Sequence, residues 1–160
     1  MGYLKVDNDL SEKGVAVDML SDGTLFVKIR ASRSKIVEQE RTKQQAPYKN
    51  ILIAGRQLAP GIARLMGQKI TANAVVAGIA GTLPDGRTVG KVIDSKPVEF
   101  DTLPEADMIA LFTEYPDFEE DVSGASQTNA TFAAPEAVVV DAAGALPPTL
   151  TEAVEEAAKN

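Results

Sequence analysis

The 160-residue sequence contains no cysteine, no histidine and no tryptophan. Without cysteine the chain can form neither disulfides nor thiolate metal sites. Without histidine it lacks the most common general base and the most common transition-metal ligand. Carboxylate sites for hard cations remain open, because the chain has 23 Asp and Glu residues. These absences favour a protein that holds a partner over one that catalyses a reaction.

Long apolar runs are also missing. No stretch approaches the roughly 20 apolar residues that a membrane-spanning helix needs. The first seven residues contain no apolar core of the kind that marks a secretory signal. We therefore expect the chain to work in a reducing, cytoplasm-type compartment.

The net charge of -7 is spread unevenly along the chain. Residues 1–100 carry 15 Lys/Arg and 10 Asp/Glu, whereas residues 101–160 carry one Lys and 13 Asp/Glu. Such asymmetry can mark an acidic interaction tail, although simple solubility is an equally good explanation.

The first third of the chain predicts a β-hairpin and a charged helix. Residues 14–20 and 24–30 read as strands, and Ser21-Asp22-Gly23 between them is a turn sequence. In the second strand, Leu25, Val27 and Ile29 alternate with Phe26, Lys28 and Arg30 in the period of a half-buried strand. Ser32 is the predicted N-cap of a solvated helix over residues 33–46, which Pro47 ends.

The middle of the chain predicts further helices and extended segments. Residues 51–53 could form a strand or the opening turn of a helix. Apolar residues at three- and four-residue steps predict an amphipathic helix over 61–80, with Gly81 as its C-terminal cap. A turn at residues 83–87 precedes extended segments at 88–93 and 97–100.

A helix that starts near Thr102 follows. Asp101 or Thr102 is the expected cap, and Glu105 completes a capping box with Thr102. Tyr115-Pro116 breaks this helix, and a short helix over residues 117–122 comes next. We predict an α+β fold in which an N-terminal β-hairpin packs with a small helical bundle, over residues 1–122.

From residue 123 onward the sequence is rich in Gly, Ser, Thr, Ala and Pro. It contains too few large apolar residues to offset the entropy of ordering a chain. We predict a disordered, acidic, Ala/Pro-rich tail over residues 123–160. Residues 152–159 could form a short helix against a partner.

No motif in the sequence predicts a catalytic, cofactor-binding or metal-binding residue. The glycines between Gly78 and Gly90 do not follow a phosphate-binding pattern and are better explained as turns. The acidic residues between Glu114 and Asp121 lack the spacing of a calcium-binding loop, which favours a solvated helix face. No Ser lies in a nucleophile-elbow sequence.

A basic stretch surrounds the first helix. Its members are Arg30, Arg33, Lys35, Arg41, Lys43 and Lys49. Glu38 and Glu40 interrupt it and no aromatic ladder accompanies it, so a solvated face is favoured over a protein-binding or nucleic-acid-binding face. The stretch could also attract the acidic tail or an acidic helix of a partner.

The candidate partner-binding residues are the apolar face near residues 108–118. They are Met108, Leu111, Phe112, Tyr115 and Phe118. The alternative is that these side chains form the core.

The order of these parts resembles the tail assembly chaperones of long-tailed bacteriophages. The resemblance rests on the strand at residues 23–31, the Ala/Gly-rich segment 74–81, the turn 84–89 and the segment 99–118 that ends in Pro-Asp-Phe. Ile79 stands where the family often has Trp.

The resemblance implies a non-enzymatic protein without a cofactor, in the host cytoplasm during phage assembly. Its partners would be the tape-measure protein, which such chaperones keep soluble, and tail-tube subunits. It could form homo-oligomers, and nucleic acid and membranes are not expected partners. The main rival hypothesis is a structural virion protein, such as a decoration, connector or tail component. A small carboxylate-dependent enzyme and a bacterial domain unrelated to phage are two further hypotheses.

Overall fold

A four-stranded antiparallel sheet is the main β-structure of this computed structural model, which describes residues 3–133. Its strands occur in the order β1 (Val15–Asp18), β2 (Leu25–Ile29), β3 (Val76–Thr82) and β4 (Thr88–Val89). Strands β5 (Lys91–Ile93) and β6 (Lys96–Glu99) form a separate antiparallel pair. The α-helices of the described range are α1 (Asn8–Lys13), α2 (Lys35–Gln45), α3 (Lys49–Ile53), α4 (Pro60–Ile70), α5 (Glu105–Glu114) and α6 (Pro116–Gln127). The predicted α+β class is confirmed.

The predicted hairpin is present as β1 and β2, which pair from Val15 opposite Ile29 to Asp18 opposite Phe26. Val27 and Ile29 are completely buried, and Phe26 on the opposite face is buried as well. Strand β2 is therefore buried on both faces, rather than half-buried as its alternating pattern predicts. Strands β1 and β3 pair along its two edges, and helix α6 contacts it as well.

The helix predicted over residues 61–80 is wrong in its second half. Helix α4 ends at Ile70, a π-helical turn spans Thr71–Val75, and the chain then enters β3. Strand β3 is buried over most of its length, and a short buried apolar run does not distinguish a strand from a helix by periodicity.

Glycine explains how β3 fits at the centre of the sheet. Gly81 does not cap a helix: it lies within β3 at φ 127°, and a Cβ there would collide with the Thr24 carbonyl oxygen next to β2. A Cβ on Gly78 would lie 2.9 Å from the Phe100 Cβ. The strand thus requires glycine where its neighbours approach most closely.

Helix α2 begins two residues later than predicted. Ser34, not Ser32, is its N-cap, and the Ser34 hydroxyl oxygen accepts a hydrogen bond from the Val37 N–H at 3.3 Å. Pro47 ends the regular α-helix as predicted, but a 3₁₀ turn over Ala46–Tyr48 continues directly into α3. Residues 51–53 are helical and not a strand, but they form the end of α3 and not the opening turn of a helix.

Helices α5 and α6 also differ from prediction at their ends. Pro104 occupies the N-cap of α5 without a side-chain hydrogen bond, so the capping box at Thr102 does not form. Asp101 instead pairs with Ile79 through two backbone hydrogen bonds of 2.7 and 2.9 Å. Helix α6 continues past residue 122, where the folded domain was predicted to end, and reaches Gln127.

Asn8–Thr128 form one compact unit, and the two ends of the described range belong to another. In that second unit Val6 bridges Ala133 in antiparallel fashion, and the Asp7 N–H donates to the Phe132 carbonyl oxygen at 2.8 Å. A 3₁₀ turn spans Asn129–Phe132. The predicted tail from residue 134 onward, including its terminal helix, lies outside the described residues.

Candidate functional site

The five residues predicted to contact a partner occupy different environments. Met108, Leu111 and Phe112 are at most 1% exposed and share one face of α5. Phe118 of α6 is buried too, with its ring centroid 5.9 Å from that of Phe112. These four side chains therefore belong to the core. Tyr115, which joins the two helices, is 36% exposed.

Tyr115 and Phe118 line an apolar groove of about 640 Å³, which we call the sheet-end groove. It lies where the β1–β2 turn and the β3–β4 loop meet the junction of α5 and α6. Its lining residues are Met19, Leu20, Thr24, Leu25, Thr82, Leu83, Pro84, Tyr115, Asp117, Phe118 and Asp121. The first four come from the hairpin, the next three from the loop and the last four from the helix junction.

The groove combines a buried apolar floor with an acidic rim. Leu25 and Leu83 are each 2% exposed, whereas Leu20 at the edge is 61% exposed. Asp117 and Asp121 are exposed and stand one turn apart on the same face of α6. No Lys or Arg occurs among the described residues that line it. The groove therefore suits apolar side chains that are accompanied by a positive charge.

Local hydrogen bonds hold the hairpin wall of the groove. The Asp22 Oδ1 atom accepts from the Thr24 hydroxyl at 2.6 Å and from the Thr24 N–H at 3.0 Å. These bonds hold the pKa of the Asp22 carboxyl below its ordinary value of 3.8. The Gly23 N–H donates to Asp18 Oδ2 at 2.9 Å. Leu20 is thus presented on an ordered turn, which lowers the entropy cost of binding.

The loop wall is held in a similar way. The Leu83 N–H donates to the Arg87 carbonyl oxygen at 2.8 Å. The Arg87 guanidinium lies 2.9 Å from Asp85 and 3.4 Å from Asp107. The Arg87 backbone N–H, together with its side chain, lowers the pKa of Asp85, and Asp85 in turn raises the pKa of Arg87. Leu83 and Pro84 therefore sit in a closed turn.

A second surface lies on residues 38–67, which we call the helical arm. The arm comprises most of α2, all of α3 and most of α4, and none of its 30 residues is buried. Its large apolar residues are Tyr48, Ile51, Leu52, Ile53, Leu58, Ile62, Leu65 and Met66. Ile53 is 73% exposed, and with Leu52 and Lys49 it borders a hollow of about 470 Å³.

Most of the arm lies in a basic block of the sequence, and the helix-junction wall of the sheet-end groove lies in an acidic block. Residues 41–84 contain six Lys/Arg and no Asp or Glu, whereas residues 99–121 contain nine Asp/Glu and no Lys or Arg. The blocks touch where Arg64 lies 3.4 Å from Glu119. Charges counted separately for residues 1–100 and 101–160 do not show this pattern. Uninterrupted runs of one charge sign along the sequence do show it.

No protein-family model, curated protein or solved structure matches this chain.

The predicted basic stretch does not form a single binding face. The Arg30 guanidinium donates to the backbone oxygens of Glu12 at 3.0 Å and Ala74 at 2.9 Å, so it links α1 to the segment before β3. Arg41 pairs with Glu38 at 2.7 Å on the surface of α2. Lys49, the last member of the stretch, borders the hollow of the helical arm together with Thr42 and Gln45 of α2.

The acidic residues between Glu114 and Asp121 do not gather into a metal site. Within residues 3–133, no group of three or more Asp or Glu side chains is arranged to hold a metal ion. The same part of the chain contains no helix with the length and apolar character needed to cross a membrane.

Proposed function

We propose that this protein is a non-enzymatic tail assembly chaperone of a long-tailed bacteriophage. In this proposal it binds a helical segment of the tape-measure protein in the sheet-end groove and helps to recruit tail-tube subunits. The observation that carries the binding role is a preformed apolar groove with an acidic rim. The resemblance in segment order supplies the client's identity.

The groove favours an amphipathic helix as its occupant. Such a helix would place apolar side chains, spaced three or four residues apart, over Leu25, Leu83 and Phe118. Asp117 and Asp121, one turn apart, would then face Lys or Arg side chains of the client. Tyr115 is the expected anchor, since a partly exposed aromatic ring at a groove edge is a frequent energetic centre of an interface.

Co-expression with the tape-measure protein of the same phage genome tests the proposal. We expect the wild-type chain to keep that protein soluble and to co-purify with it. Tyr115→Ala and Leu20→Asp should reduce the co-purified amount several-fold, while Ile93→Ala, an exposed apolar residue outside the groove, should behave as wild type. Failure of the wild-type chain to bind, or equal binding by all three variants, contradicts the groove assignment.

A structural virion protein is the second candidate, and the helical arm favours it. Thirty consecutive residues without a buried side chain suit a subunit that neighbouring subunits cover in a particle. Mass spectrometry of purified virions separates the candidates. A fixed stoichiometry in the particle supports the structural protein, and absence from virions together with tape-measure binding supports the chaperone.

A further inference from the structure

The α3 corner of the helical arm (Lys49–Ile53) has the properties of a docking element. Its Leu52 and Ile53 side chains are exposed next to Lys49. Two backbone hydrogen bonds end the helix: the Gly55 N–H donates to the Leu52 oxygen at 3.0 Å and the Arg56 N–H to the Ile51 oxygen at 3.1 Å. With Gly55 at φ 78°, this is a Schellman motif, which fixes the corner without tertiary packing.

We propose that copies of this chain associate head to tail, with the α3 corner of one copy docked in the sheet-end groove of the next. Leu52 and Ile53 would cover the apolar floor at Leu25 and Leu83. Lys49 would approach Asp117 and Asp121 on the rim. Both elements are ordered before they meet, so little conformational entropy is lost on docking.

Charge complementarity favours contact between the arm of one copy and the groove of another over contact between two like surfaces. Pairing of two arms would bring together two surfaces that each carry five Lys/Arg and only two Glu, and pairing of two grooves would oppose Asp117 and Asp121 with themselves. Only contact of arm with groove joins opposite charges, because like charges across an interface are repelled. Such a heterologous contact leaves one arm and one groove free at the ends, so it extends to a ring or a filament.

Self-association uses the same groove as the proposed client site, but it does not depend on which protein the client is. Self-association would cover the groove in the absence of a client, and a client helix would compete with the α3 corner of the neighbouring copy. The two ideas can therefore fail separately, since self-association is measured on the full chain alone.

Sedimentation velocity of two variants, separately and mixed, tests the head-to-tail contact. Ile53→Glu places a charge on the docking surface of the arm, and Leu20→Glu places one at the edge of the groove. Both side chains are largely exposed, so both variants should fold, which thermal unfolding can verify. The wild-type chain should form concentration-dependent oligomers. Each variant alone should remain monomeric. An equimolar mixture should form a 1:1 dimer, in which the arm of the Leu20→Glu chain occupies the groove of the Ile53→Glu chain. This dimer should not grow, because the arm and the groove that remain free both carry a substitution.

Charge reversal provides the matched test. Lys49→Glu should weaken self-association by on the order of tenfold, and Asp117→Lys combined with Lys49→Glu in the same chain should restore much of it. Ile93→Glu, outside both surfaces, should associate as the wild type does. A wild-type chain that is monomeric at all concentrations overturns the proposal. So does self-association of either single variant at wild-type strength, or a mixture that forms no heterodimer.

Discussion

The hydroxyl of Ser34 caps α2, although Ser32 has an equally favourable residue type. Ser34 is only 1% exposed, and its side chain satisfies the Val37 N–H. We expect Ser34→Ala to lower the free energy of unfolding by about 0.5–2 kcal/mol, because a first-turn donor loses its acceptor. Ser32→Ala is the matched control and should lower the free energy of unfolding clearly less. Urea denaturation of both variants measures the difference, and equal losses would refute the assignment of the cap.

Asp22 gives the hairpin turn a dependence on pH. Its carboxyl has a folded-state pKa below 3.8, because Thr24 donates two hydrogen bonds to it. A lowered folded-state pKa stabilises the fold above the unfolded-state pKa, and this contribution disappears as the pH falls through the folded-state value. The stability difference between wild type and Asp22→Ala should therefore be constant near neutral pH and shrink below about pH 4. Denaturation series across that range test this, and a difference that does not change down to about pH 2 contradicts it.

At the scale of helices and strands, the α5–α6 pair contains both a core residue and a surface residue within a few positions of each other. Phe112 is completely buried against Phe118, whereas Tyr115 lies partly exposed at the groove. Phe112→Ala should lower the free energy of unfolding by about 3–5 kcal/mol, because it leaves a cavity. Tyr115→Ala should lower the free energy of unfolding much less, and it should instead reduce binding of the client in the groove. Thermal unfolding combined with the co-expression assay measures both, and a comparable stability loss in the two variants would place Tyr115 in the core.

Strand β3 was predicted as the second half of a helix, and its sequence shows why. Val75, Val76 and Ile79 are β-branched and favour a strand, but the Ala and Gly residues among them continue the spacing of the preceding helix. Only pairing with β2, at the register that sets Leu25 opposite Gly81, decides between the two states. That choice depends on residues far earlier in the chain, which no local pattern contains.

Across the whole molecule, the separation of charge into blocks is the dominant feature of the part that the structure describes. Basic residues dominate 41–84 and acidic residues 99–121. Because self-association is proposed to join these blocks, it should depend on ionic strength. The apparent dissociation constant should rise as NaCl increases from about 0.05 to 0.5 M, since the Debye length shortens over this range. Sedimentation at both salt concentrations measures the effect. An unchanged constant would indicate an interface without the charge contact.

Local sequence was enough to specify the class of the fold, the first hairpin and the helix break at Tyr115-Pro116. Those features depend on residue spacing, turn chemistry and proline geometry, which act over a few residues. The opposite charge blocks are also visible in the sequence as plain runs of residue types.

Tertiary contacts were needed to establish that residues 76–82 are a central strand, that Ser34 rather than Ser32 caps α2, and that four of the five candidate partner residues are core. They also leave the large apolar side chains of residues 38–67 partly or largely exposed. Burial and strand register are set by contacts between distant segments, because the same apolar residue can be covered or exposed depending on what packs against it.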